Sequence, residues 1–137
     1  MKLLGLTTFF LFLMTSCEKF CDSYIENATG SDILMITKLD TNITKHYAVS
    51  STDFLKSFAN DSTSILLRLD TLNLIGIYRL KNKAVIQLDG GLGDHPSSKF
   101  SYLQIRTKTD TLTYYSNLEI EEAYRQDTKP NDTLTIK

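Results

Sequence analysis

Tryptophan is absent from the 137 residues, and cysteine, histidine and proline occur twice each. Two cysteines, Cys17 and Cys21, cannot build the disulfide framework on which small secreted scaffolds rest. Two histidines, His46 and His95, leave little from which to assemble a zinc site or a Ser/His triad. An excess of one charge is missing as well: 15 Lys and Arg stand against 16 Asp and Glu. That balance is too even to concentrate phosphates or to draw the chain onto an anionic surface, so nucleic acid is not an expected partner. The glycines are not followed by the Lys-Ser/Thr of a P-loop, and the acidic residues lack EF-hand spacing. No cofactor, metal or nucleotide is expected, and the chain does not read as an enzyme.

What is present begins at the N-terminus. Lys2 supplies a positive charge ahead of Leu3 to Met14, a run rich in Leu and Phe whose only polar members are Thr7 and Thr8, which predicts a signal peptide over residues 1–16. As a helix this run of about twelve residues would reach ~18 Å, short of the ~30 Å hydrocarbon core, so it does not read as a permanent membrane span. The run ends in Leu13-Met14-Thr15-Ser16-Cys17, which resembles the lipobox of bacterial lipoproteins. The resemblance implies that Cys17 is acylated and becomes the first mature residue, with palmitate among its lipids. Several acyl chains hold a soluble domain to a membrane, because each buried CH₂ adds ~0.8 kcal/mol. An ordinary secretory leader with Cys17 as a plain residue near the cut is the alternative. Acylation of Cys17 would exclude an intrachain disulfide, leaving Cys21 as a thiol, a second lipid site, an intermolecular link or an ordinary tether residue.

Residues 17–23 are expected to form a lipidated tether, with 24–137 as a single domain. Glu18 and Asp22 are similar to the acidic export signals that send some lipoproteins of Gram-negative bacteria to the outer face. The expected address is therefore the cell envelope, on the outer membrane, facing periplasm or surface.

From Tyr24 onward short apolar alternations are separated by Asn, Asp, Gly and Ser, as in an all-β chain. Ile65, Leu67 and Leu69 share one face, as do Leu72, Leu74, Tyr78 and Leu80, with Gly76 as a bulge or a close-packing point. Ile43, Tyr47 and Val49 suggest a further strand, while the unbroken Ile33-Leu34-Met35-Ile36 suggests a strand covered on both sides. Lys81-Asn82-Lys83 and Lys108-Thr109-Asp110 read as hairpin turns, and Thr133 to Ile136 as a last strand that pairs at an edge or closes a second sheet. Ser51 or Thr52 can cap a short helix carrying Phe54, Leu55 and Phe58. Ser116 to Glu119 has capping-box spacing and Glu121 to Arg125 is a favourable i,i+4 pair, although Leu118 and Ile120 also alternate like a strand. The predicted fold is mainly β, an antiparallel β-sandwich with one or two short helices. Tyr24 to Ile33 resembles the first hairpin of small immunoglobulin-like envelope domains, which implies an Ig-like sandwich.

The longest loop is expected at Asp89 to Ser98, which holds Gly90, Gly91 and Gly93, half of the six glycines. Asp89, Asp94 and His95 are its candidate site: the carboxylates could hold a cation, the glycine amides an anion, and a hydrolase would need Ser97 or Ser98 activated beside His95. A strand connector explains the same residues. Asp-Thr-Leu recurs at residues 70–72, 110–112 and 132–134. Asp suits a turn and Thr-Leu the start of a strand, but the triplet also resembles the Asp-Ser/Thr-apolar O-glycosylation sequon of certain Gram-negative bacteria, with Thr71, Thr111 and Thr133 as acceptors. Asn27, Asn42, Asn60 and Asn131 fit the N-x-Ser/Thr pattern, which a bacterial leader makes incidental. The reading that emerges is a monomeric lipid-anchored envelope protein of non-enzymatic binding or accessory type. Tyr102, Tyr114, Tyr115 and Tyr124 are candidate anchors for an envelope protein or glycan. The alternative is a periplasmic inhibitor or immunity protein that caps a toxin or hydrolase.

Overall fold

The computed structural model describes residues 20–45, 49–59, 62–92, 98–126 and 132–137. The leader, Cys17, His46, Asn60, Asp94, His95, Ser97 and Asn131 lie outside the described residues. Eight strands are described: β1 (Phe20–Asn27), β2 (Ile33–Leu39), β3 (Ser64–Asp70), β4 (Ile75–Leu80), β5 (Val85–Leu92), β6 (Phe100–Arg106), β7 (Thr111–Tyr114) and β8 (Thr133–Ile136). Three short helices accompany them, α1 (Thr41–Thr44), α2 (Ser51–Ser57) and α3 (Asn117–Gln126). The strands form a five-stranded sheet in the order β3-β4-β2-β6-β7 and a three-stranded sheet in the order β5-β1-β8, facing one another as a sandwich. Every pairing is antiparallel except β1 with β8, which is parallel. No described helix is long and apolar enough to cross a membrane.

The core lies between the sheets because alternate residues of each strand point inward. Ile25, Ile86, Leu88 and Ile136 come from the small sheet; Ile33, Met35, Leu39, Tyr78, Leu80, Phe100, Leu103 and Ile105 come from the large one. The helices close the open sides. From α2, Leu55 and Phe58 enter the core, and the Phe58 ring meets Tyr78 at 6.0 Å and Phe100 at 5.8 Å. From α3, Ile120 and Tyr124 pack where β6, β7 and β8 meet. The Tyr78 hydroxyl crosses the core to donate to the Leu55 carbonyl at 2.7 Å. It can do so because Gly76, two residues earlier on the same face, carries no Cβ; one built there would collide with the Tyr78 hydroxyl and ring. Gly76 is thus the close-packing point.

Several expectations are corrected. β1 begins at Phe20, so Phe20 to Ser23, assigned to the tether, pair with Asp89 to Leu92 in the small sheet. Neither Tyr24 to Ile33 nor the 81–83 turn forms a hairpin, since β1 and β2, like β4 and β5, belong to different sheets. Asn27 joins the two crossings. Fully buried, its carboxamide nitrogen donates to the carbonyls of Ser31, Leu80 and Lys81 at 2.8 to 3.2 Å, and its oxygen accepts from Thr29. The stretch around Ile43 is helical: the Asp40 carboxylate caps the Asn42 N–H at 2.9 Å and turns the chain into α1. The cap of α2 is Ser50, which accepts from the Asp53 N–H at 3.1 Å and donates to its carboxylate at 2.6 Å.

Ile65 and Leu67 point outward, and a bulge that makes Leu67 the extra residue between the pairs Leu66↔Tyr78 and Arg68↔Ile77 turns Leu69 off their face and against the core. Leu72, placed on the buried face of its strand, is 90% exposed in the turn ahead of β4. β2 is not covered on both sides; Leu34 and Ile36 are half-exposed on the outer face. The α3 segment is helical, and its Arg125–Glu121 pair forms at 3.9 Å.

Candidate functional site

Asp89 lies in β5, not in a loop. Its strand carries a bulge against β1: Ser23 pairs with Asp89 but Tyr24 with Gln87, so Leu88 is the extra residue. Leu88 and Asp89 consequently both turn inward, and the carboxyl of Asp89 is 2% exposed. The expected loop position is therefore corrected for this residue, while its companions Asp94 and His95 lie outside the described residues. The glycines suggested a loop because they pack poorly in strands. Pairing with β1 overrides that preference, since Gly90 and Gly91 align with Asp22 and Cys21.

Around Asp89, residues of β1, of α3 and of the segment that leads into β6 form a polar cluster. The Lys99 backbone N–H donates to its Oδ1 at 3.1 Å, and the Lys99 ammonium reaches the Gly90 carbonyl at 3.3 Å. The Ser98 N–H donates to Glu121 of α3 at 2.8 Å, tying the start of β6 to the helix. Ser23 and Tyr124 complete the buried side, and the Oδ2 of Asp89 and the Tyr124 hydroxyl have no hydrogen-bond partner among the described residues. Burial pushes the Asp89 carboxyl up to about 6, against the opposing pull of the Lys99 N–H, the Lys99 charge and the Ser98 hydroxyl. Burial, reinforced by the nearby Asp89 charge, also holds the Tyr124 hydroxyl well above its ordinary value.

The cluster opens onto a groove of about 530 Å³ between β5 and α2, lined among others by Phe54, Phe58, Ile86, Leu88, Asp89 and Lys99. Its apolar wall is aromatic: Phe54 and Phe58 meet edge-on at 5.0 Å, and the Lys99 ammonium sits 5.4 Å from the centre of the Phe54 ring. β5 is the edge of its sheet, with β1 on one side and no further strand among the described residues. A trough with an aromatic wall beside an open strand edge can receive an extended segment, with the buried carboxyl of Asp89 in its lining. The sequence placed Phe54 and Phe58 on a short helix, Glu121 in a pair with Arg125 and Ser23 in the tether, and nothing local joined them or Lys99 to Asp89, because the bulge at Leu88 leaves no mark in the pattern. No group of three or more His, Cys, Asp or Glu able to hold a metal is found among the described residues.

The remaining candidates are scattered. Thr71 is exposed in the β3–β4 turn, where Asp70 accepts the N–H groups of Leu72 and Asn73 at 3.0 Å each and its pKa is lowered chiefly by the Asn73 side-chain amide. There the triplet follows a strand instead of opening one. Thr111 is exposed at the first position of β7, whereas Thr133 is buried in β8. As acceptors, Thr71 and Thr111 are accessible in the folded domain and Thr133 is not. Asn27 is likewise buried. Among the tyrosines, Tyr124 is a core residue, Tyr102 and Tyr114 are half-buried, and Tyr115 is exposed against the Tyr102 ring at 5.9 Å.

No family model matches the chain, and comparison with curated proteins and with solved structures gives no match.

Proposed function

We propose that this chain is a lipid-anchored cell-envelope protein whose β-sandwich is a non-enzymatic binding module. Support for the address comes from the leader-like residues 1–16 and the lipobox-like run ending at Cys17. The observation that carries the reading is the start of β1 at Phe20. Only Glu18 and Lys19 separate it from Cys17, three residue steps that reach about 10 Å even when extended. A domain so placed is held close to the bilayer by its own first strand. Its reading as a binding module is supported by the open-edged groove at β5, whose wall of Phe54 and Phe58 suits a partner's side chain.

Metabolic labelling with an alkyne palmitate tests the anchor. Wild-type protein is expected to take the label and to sediment with membranes, and Cys17→Ala to lose both. Unlabelled wild-type protein, or label retained in Cys17→Ala, overturns the reading.

A further inference from the structure

The even charge balance of the sequence conceals an uneven distribution on the fold. Strand register places side chains of the five-stranded sheet in rows on its outer face. One row runs Ile65, Arg79, Leu34, Arg106, Thr111; the next runs Arg68, Ile77, Ile36, Gln104, Thr113; and a third holds Asp70, Ile75, Lys38 and Tyr102. Four cations, Lys38, Arg68, Arg79 and Arg106, are exposed on this face, and Lys108 stands at its rim. None has a carboxylate within ion-pair distance among the described residues. Asp70, the one acid in these rows, is engaged by its own turn through Leu72 and Asn73, although its charge also feels Arg68.

Arg79 and Arg106 flank Leu34 from the two neighbouring strands, so their backbones lie about 10 Å apart. At that spacing one short acidic segment laid over Leu34 can meet both charges. A second groove, of about 280 Å³, lies there, with Leu34 and Leu67 among its lining and Arg79, Arg106 and Lys108 around it. Its one acidic lining residue, Asp32, accepts the Asn82 N–H at 3.2 Å. Leu67 reaches the groove from the outer face, and the β3 bulge sets Arg68 beside it on that face.

We propose that this outer face docks an acidic peptide segment of a partner protein. Its carboxylates pair with Arg79 and Arg106, and its aliphatic side chains enter the groove over Leu34 and Leu67. Guanidinium forks match carboxylates bidentately, and arginine beside apolar residues is a composition that protein interfaces favour. The floor of the groove is aliphatic, with Tyr102 two rows away, which fits a peptide side chain better than a sugar ring that stacks on aromatic faces. The inference rests on the binding-module reading but not on the lipid, so labelling at Cys17 and peptide affinity succeed or fail separately.

The test uses the full chain in detergent and fluorescein-labelled peptides of alternating Glu-Leu, Gln-Leu and Lys-Leu, titrated by anisotropy. The Glu-Leu peptide is expected to bind at least tenfold more tightly than the other two, and more weakly as salt rises. Arg79→Glu/Arg106→Glu is expected to weaken it at least tenfold and Arg79→Gln/Arg106→Gln several-fold. Arg125→Glu on α3 and Cys17→Ala should leave it unchanged. Circular dichroism confirms that each variant is folded, and the glutamine pair decides the question if the charge reversal unfolds. Equal binding of the three peptides, or affinity indifferent to both arginine pairs, overturns the proposal. So does tighter arginine-dependent binding to polygalacturonate or to phosphatidylglycerol vesicles, which would assign the face to a glycan or a lipid surface.

Discussion

Asp89 shows how one extra residue in a strand changes a side chain's chemistry. The bulge at Leu88 aims the carboxyl inward, and burial then raises its pKa to about 6. Because the folded pKa lies above the unfolded value of about 3.9, the folded state holds the proton more tightly. The stabilisation is complete below about pH 4 and is lost as pH rises through 6, a difference of about 3 kcal/mol at most. Thermal melts between pH 4 and 7 are expected to show wild type losing stability relative to Asp89→Asn, which should be the more stable of the two at pH 7. Parallel curves would place the carboxyl in a solvated setting. Gly76 makes a steric case. Gly76→Ala should cost about 2 kcal/mol or more, because the methyl must displace the Tyr78 ring. Tyr78→Phe alone should cost about 1 kcal/mol through the lost bond to the Leu55 carbonyl. Denaturant melts of the double variant should show less than the sum, since the atom nearest the new methyl has gone.

At the scale of elements, the crossings between sheets depend on Asn27. It holds the β1–β2 and β4–β5 connections through one carboxamide, and its own N–H and C=O engage Ala84 and Lys83. Asn27→Ala leaves buried carbonyls without donors and should lower stability by about 3 kcal/mol in urea unfolding. A loss within a few tenths would mean that water replaces the amide. Alternation located the strand ending at Leu80, the turn residues before Thr133 the strand ending at Ile136, and Ser116 with Glu119 the start of α3, because each signal is local. The bulges at Leu67 and Leu88 were illegible, since nothing in Ser64 to Asp70 or Val85 to Leu92 says which residue goes unpaired until the neighbouring strand is known. α1 had a readable sign in Asp40, whose side chain caps it, but the spacing of Ile43 with Val49 pointed to a strand instead.

For the whole molecule, the mainly β class and the two-sheet sandwich followed from composition and punctuation, whereas the arrangement of charge did not. Arg79 and Arg106 are 27 residues apart in number and become neighbours of Leu34 only through the register of three strands. The Asp89 cluster is hidden for the same reason, as it draws on β1, β5, the start of β6 and α3. Both surfaces are products of long-range pairing, which sequence periodicity does not encode. The parallel union of β8 with β1 brings Thr133 to Ile136 alongside Tyr24 to Asn27, 109 positions earlier in the sequence. Whether it emerges from a ribosome or through a membrane pore, the polypeptide must wait with that flank of β1 unsealed until β8 has been delivered. Over that interval the bare backbone is open to chaperones, proteases and sister chains.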